Sequence, residues 1–186
     1  MNTPSVTQPF PPVTKAHLQE FGDKGFTVLE RAIPDDLLAL LRDICARAIG
    51  RVDARADAQN QPRSTKYFAS VWKDEPEIRR FTFSPLMANI TRSFLGDTVF
   101  LSFEQCVVKA AEKGGTFAWH QDSSYVPTPH PLYLTCWCAL DDVTEENGTV
   151  YMLPTIAPER ARSCRIGSAR TTSTSSATMA TTWEIR

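Results

Sequence analysis

The feature that most limits what this chain can become is a change of period at Gly96. Before it, apolar residues recur at helical spacing. Leu37, Leu38, Leu41, Ile44, Cys45, Ala48 and Ile49 form one broad stripe behind Pro34-Asp35-Asp36, an opening whose acidic pair suits the positive end of a helix dipole, with Gly50 as a natural stop. A shorter helix over residues 14–21 runs into Gly22 and Gly25 and then a strand over 26–29, and His17 falls on the polar side of that helix as a solvated residue. Residues 51–63 are polar and alanine-rich without a firm period, a loop with helical turns. Residues 66–72 read as strand-like and 75–81 as a short helix, and Ser84 and Pro85 supply an N-cap and a first-turn proline for a helix through Phe94, closed by Gly96.

Beyond Gly96 the residues favour pleated surfaces. Residues 98–108, 132–140 and 149–153 are rich in Val, Phe, Leu, Cys and Trp and read as three strands, with a polar connection over 141–148. Helices first and strands later predicts an α+β domain, with N-terminal helices bracing one face of an antiparallel sheet or barrel.

A chain of 186 residues holds one domain with a real core. A formal net charge of −1 offers nothing to a polyanion, so no nucleic acid and no anionic membrane is expected as partner. No apolar run approaches the roughly 18 residues of a membrane helix and no basic-then-apolar leader opens the chain, which makes a soluble cytoplasmic protein the expectation. The five cysteines lack a CxxC spacing and form no disulfide framework; Cys136 and Cys138 read as small buried strand residues.

The division expected is a proline-rich, disordered leader over 1–13, a domain over 14–156, and a low-complexity, irregular tail over 157–186. The tail shows no amphipathic period and carries a hydroxyl run, Thr171-Thr172-Ser173-Thr174-Ser175-Ser176-Ala177-Thr178, flanked by arginines. A flexible tail is one reading. The other is a coding sequence that left its frame after Pro154, and an intact reading frame through this point in the gene would refute it.

The chemistry concentrates at Trp119-His120-Gln121-Asp122. Residues two apart on an extended segment project to one face, so His120 and Asp122 can aim an imidazole nitrogen and a carboxylate oxygen at a single point, two-thirds of a 2-His-1-carboxylate iron site. His-x-Asp alone is a weak signal. Its setting strengthens it: Gln105 and Lys109 precede it, and Trp137-Cys138-Ala139-Leu140-Asp141-Asp142, Thr144-Glu145-Glu146-Asn147-Gly148 and Leu153-Pro154 follow in order.

That ordered set resembles the phytanoyl-CoA dioxygenase family over about residues 14–154. The resemblance implies an incomplete double-stranded β-helix (jelly-roll, cupin-like) sheet braced by N-terminal helices, and Fe(II)- and 2-oxoglutarate-dependent hydroxylation of a small-molecule substrate by O2. His120 and Asp122 would be metal ligands, while Lys66, Gln105 and Trp137 would contact 2-oxoglutarate. Each of these three has a plain alternative, as a surface charge, a polar strand residue and a core residue. Related halogenases carry Gly or Ala where Asp122 stands, so a carboxylate here favours hydroxylation.

The pattern breaks after Pro154. The family's distal histidine and its carboxylate-binding arginine have no counterpart, because the histidines of the chain are His17, His120 and His130. His130 sits in Pro129-His130-Pro131, a stiff loop poorly placed to reach Asp122, and Arg160, Arg162, Arg165 and Arg170 lie in no recognisable strand. The expectation is therefore a dioxygenase of doubtful activity without a third ligand. The alternatives are a non-catalytic jelly-roll-like binding or interaction protein with a vestigial metal pair, and a structural ion pair between His120 and Asp122.

Overall fold

The computed structural model describes residues 13–58, 66–109, 118–122, 133–154, 165–168 and 176–184. The leader over 1–12, most of the loop after Lys109, His130 and much of the tail lie outside them.

Helix α1 (Lys15–Lys24) opens on a capping box: Thr14 Oγ1 accepts the His17 amide at 3.3 Å and His17 Nδ1 accepts the Thr14 amide at 3.1 Å. Residues 26–29, expected as a strand, enter no ladder among the described residues. Helix α2 (Asp35–Ala58) buries Leu37, Leu41, Ile44, Cys45 and Ala48, and it runs through Gly50 instead of stopping there. A glycine inside a helix costs only about 1 kcal/mol against alanine. The Ala-Arg-Asp composition that follows is helix-compatible, which corrects the loop expected from residue 51 up to Ala58.

Strand β1 (Lys66–Ala69) leads into two 3-10 turns, Val71–Lys73 and Pro76–Ile78, then α3 (Arg79–Thr82) and α4 (Pro85–Leu95). Ser84 Oγ accepts the Met87 amide at 3.2 Å, as an N-cap serine should. The remaining strands are β2 (Phe100–Lys109), β3 (Tyr133–Ala139), β4 (Val150–Leu153), β5 (Arg165–Ser168) and β6 (Ser176–Glu184).

Two antiparallel sheets result: one in the order β1-β2-β6-β3, the other the pair β4-β5. The expectation of an irregular tail is corrected at both of its strands. β6 is an interior strand of the larger sheet, pairing with β2 and β3 at once, and Arg165 opens β5 opposite Leu153. The physical reason is visible in retrospect. Ala177, Met179 and Trp183 alternate with polar residues, threonine is a good strand former, and two long neighbours supply every ladder partner.

One core fills the space between the helices and one face of the larger sheet. Phe81, Leu86 and Met87 join Leu41 and Ile44 of α2 and Cys106, Val108, Leu134 and Trp183 of the sheet. Along β2 the buried positions Glu104, Cys106 and Val108 alternate with the less buried Gln105 and Val107, the period of a strand with one covered face. Cys45 and Cys106 meet sulfur to sulfur in this core; that contact first and burial second push the Cys106 thiol up, and burial pushes Cys138 up to about 12, which favours the protonated thiol at Cys106 and Cys138 at neutral pH.

Two buried carboxylates respond to pH in opposite senses. Glu75 takes Arg47 and Arg51 of α2, and the Arg47 hydrogen bond above all holds its carboxyl below the usual range. Glu104 sits on β2 with Oε1 accepting the Trp72 amide at 3.1 Å, and burial raises its carboxyl. By linkage, the Glu75 contribution is full above the ordinary carboxylate range and is lost as pH falls through its depressed value. The Glu104 contribution is full below that range and is lost as pH rises through its elevated value. In thermal melts across pH, Glu75→Gln should lower the melting temperature at neutral pH and flatten the acid limb. Glu104→Gln should remove the loss seen on raising pH above the carboxylate range.

Candidate metal centre

Residues 118–122 lie between β2 and β3 in the chain. His120 Nδ1 lies 2.7 Å from the Ala118 carbonyl oxygen. A carbonyl only accepts, so Nδ1 carries the hydrogen, and in the neutral ring Nε2 presents its lone pair, the tautomer a metal-binding histidine uses. Nε2 faces Asp122 Oδ1 at 3.4 Å.

Two acceptors face to face need positive charge between them: a proton on the ring, or a cation held by both. Two ligand atoms each about 2.1 Å from one ion and about 90° apart stand about 3.0 Å from each other. A small side-chain adjustment closes that difference, so the donor pair fits a divalent ion. At 22% and 28% exposure the two side chains are neither sealed in the core nor free in solvent. Among the described residues no group of three His, Cys, Asp or Glu side chains is placed to hold a metal ion. His17 is engaged in the α1 cap.

The other expected residues fall as follows. Gln105 and Trp137 both pair with Ala180 of β6, from opposite sides, so they lie in one row across the sheet and on one face of it. Ala69 of β1 extends the same row. Lys66 pairs with Val108, a register position of the opposite parity, so the ladder does not bring it into the row of Gln105 and Trp137. Asp122 and Trp137 line a common cavity of about 560 Å³, otherwise walled mainly by apolar residues of α4, of β3 and of the segment 26–33.

One anchor of this region was not read as such. Lys109, the last residue of β2, is buried, and its Nζ donates to the Gly148 carbonyl at 2.9 Å; desolvation lowers its pKa. Gly148, at φ 98°, closes a turn in which Asn147 Oδ1 accepts the Thr144 amide and Asn147 Nδ2 donates to the Asp142 carbonyl. Lys109 thus fastens the end of β2 to the turn that precedes β4. A lysine directly after Cys106-Val107-Val108, at the end of an apolar strand, was the available signal.

The sequence profile of the phytanoyl-CoA dioxygenase family (PhyH) matches residues 21–155. The chain belongs to that family. Its curated relatives include a probable alpha-ketoglutarate-dependent hypophosphite dioxygenase of Stutzerimonas stutzeri, 25% identical over 73% of this chain and 51% of the relative. Another is the ectoine dioxygenase of Bordetella bronchiseptica, 28% identical over 74% of this chain and 47% of the relative. The family member described here spans about half the length of these relatives. Among solved structures, EctD from S. alaskensis with 2-oxoglutarate and 5-hydroxyectoine superposes with a TM-score of 0.77 at 20% identity, covering 93% of this chain and 76% of EctD. The carbocyclase SnoK of nogalamycin biosynthesis gives 0.74 at 16% identity, covering 92% and 84%. The helices and strands described above therefore share the jelly-roll fold of iron- and 2-oxoglutarate-dependent dioxygenases. No helix among the described residues is long and apolar enough to cross a membrane.

Proposed function

We propose that this chain carries the His-x-Asp half of an Fe(II)- and 2-oxoglutarate-dependent dioxygenase site that acts on a small organic molecule, on an incomplete double-stranded β-helix. The single observation that supports this best is the His120–Asp122 pair, with Nδ1 tied to Ala118 and Nε2 turned to the carboxylate at 3.4 Å. When bound, the iron would supply oxidation of 2-oxoglutarate and of the substrate by O2.

The residues of the chain have simpler tasks. His120 would bind through Nε2 with its ring held by the Ala118 carbonyl, and Asp122 would bind through a carboxylate oxygen. Gln105 would donate an amide hydrogen to 2-oxoglutarate and Trp137 would wall its site, with Lys66 a proposed partner for a carboxylate from the neighbouring strand. With only these two ligands among the described residues, iron would be held weakly and turnover would be slow or nil. That deficit supports the second reading, a non-catalytic jelly-roll-like binding or interaction protein that keeps His120 and Asp122 as a vestigial metal pair.

Succinate release with Fe(II), 2-oxoglutarate and ascorbate tests the proposal. Iron-dependent release abolished by His120→Ala is the expected result for an active dioxygenase. No release together with no iron uptake refutes the metal site altogether, and no release with intact uptake leaves the binding-protein reading.

A further inference from the structure

Two sulfurs meet where the helices press on the larger sheet. Cys45 lies on the buried stripe of α2 and Cys106 midway along β2, 61 residues on, and their Sγ atoms stand 2.6 Å apart. Both are free thiols, exposed by only 1% and 0%. A thiol is a weak donor and a weak acceptor, and sulfur is larger than oxygen, whose own hydroxyl hydrogen bonds run about 2.5–3.0 Å. Two sulfurs at this separation are closer than a thiol hydrogen bond holds them. A covalent bond, at about 2.05 Å, is the nearer stable arrangement.

A shared metal ion fits the pair less well. Two thiolates bound tetrahedrally to zinc at about 2.3 Å each stand about 3.8 Å from one another. Among the described residues no group of three His, Cys, Asp or Glu side chains is placed to hold a metal ion. Cys138 is no competitor for Cys106 either. It shares a row with Cys106 across Met179 of β6, two strand spacings or about 9.6 Å away, beyond the roughly 7 Å that a disulfide spans between Cα atoms.

We propose that Cys45 and Cys106 form an oxidative modification site, at which a peroxide joins the two sulfurs and fastens α2 to β2. One sulfur attacks a peroxide oxygen, giving a sulfenic acid, and its thiol proton leaves with the displaced hydroxide as water. The second sulfur then displaces the sulfenic hydroxyl, which takes the second thiol proton and leaves as another water. Two thiols and one hydrogen peroxide become one disulfide and two waters: each sulfur gives up one electron and each oxygen gains one.

Burial selects the oxidant. Hydrogen peroxide is little larger than water and enters through small local openings, whereas a peptide disulfide is too bulky for a pair so deep in the core. Both elements hold their cysteine in place, α2 as a long helix and β2 as a strand paired on its two sides, with Phe68 and Met179 opposite Cys106. The inference stands apart from the iron reading, since neither cysteine belongs to that site.

Hydrogen peroxide applied to the folded full chain tests this, followed by alkylation in denaturant and peptide mass mapping without reductant. The expected product is one peptide pair joined through Cys45 and Cys106, lighter by two hydrogens than its reduced parts and separated again by dithiothreitol. Because the fold holds the two sulfurs together, this pair should exceed every other pairing of the five cysteines by at least about tenfold. The same treatment in urea should abolish that preference. Recovery of both cysteines as alkylated thiols or as sulfinic acids overturns the proposal. So does a Cys45–Cys106 yield that is no greater in the folded chain than in urea.

Discussion

Replacing His120 by alanine should lower the affinity of the chain for Co(II), a redox-stable substitute for Fe(II), by at least about 100-fold, since changes one shell further out already cost 10- to 100-fold. Asp122→Ala should do the same. The double variant should be scarcely worse than either single one, because a site with two protein donors is lost when one donor goes. Calorimetric titration and the visible absorption of bound cobalt both report it. The competing account, an ion pair with no metal, makes a different forecast: wild type and both variants bind cobalt equally weakly, and the substitutions show only as small stability changes, because the pair is partly exposed. The Ala118 carbonyl matters to either outcome, as it holds the hydrogen on Nδ1 and leaves Nε2 for Asp122.

Phe81→Ala should remove about 3–5 kcal/mol of stability, a large share of the total, and lower the urea midpoint accordingly. Phe81 is completely buried in α3 at the centre of the core, among residues of α2, α4 and the sheet. Removing a buried phenyl ring costs about 3–5 kcal/mol, against a total stability of about 5–15 kcal/mol for a natural domain. Phe83, two residues on, is 62% exposed and meets Trp183 edge-on at a centroid distance of 6.2 Å. Its replacement by alanine should cost no more than about 1.5 kcal/mol. Urea denaturation of the two variants side by side measures the contrast, and equal midpoints would mean that the core is not centred on Phe81.

These residues show where the sequence was legible. The helix stripe from Leu37 to Ile49, the Ser84-Pro85 start and the strands after Gly96 are written in local period and capping chemistry, and the structure has all of them within a few residues. The family, too, could be read from ordered motifs, and the profile match over residues 21–155 shows it. Three features were hidden, the last two because their causes lie far away in the chain. Gly50 looks like a stop, yet the flanking residues carry the helix past it. Residues 26–29 have the composition of a strand, but no strand pairs with them among the described residues. The hydroxyl-rich stretch at Ser176 looks unlike an interior strand of a sheet, and only the pairing with β2 and β3 makes it one. At the site, His120 and Asp122 were visible as a spacing. The shared row of Gln105 and Trp137 depends on the intervening strand β6, which no local pattern announces.

The central place of β6 also governs the order in which the molecule can assemble. Cys106 and Cys138 meet opposite sides of the same residue, Met179, which a ribosome adds long after both. Until then β2 and β3 wait with open backbone donors and acceptors. Sheet closure is thus a late, long-range event of the kind that folds slowly and exposes edges to aggregation, while α1, α2 and α4 can form early from local contacts.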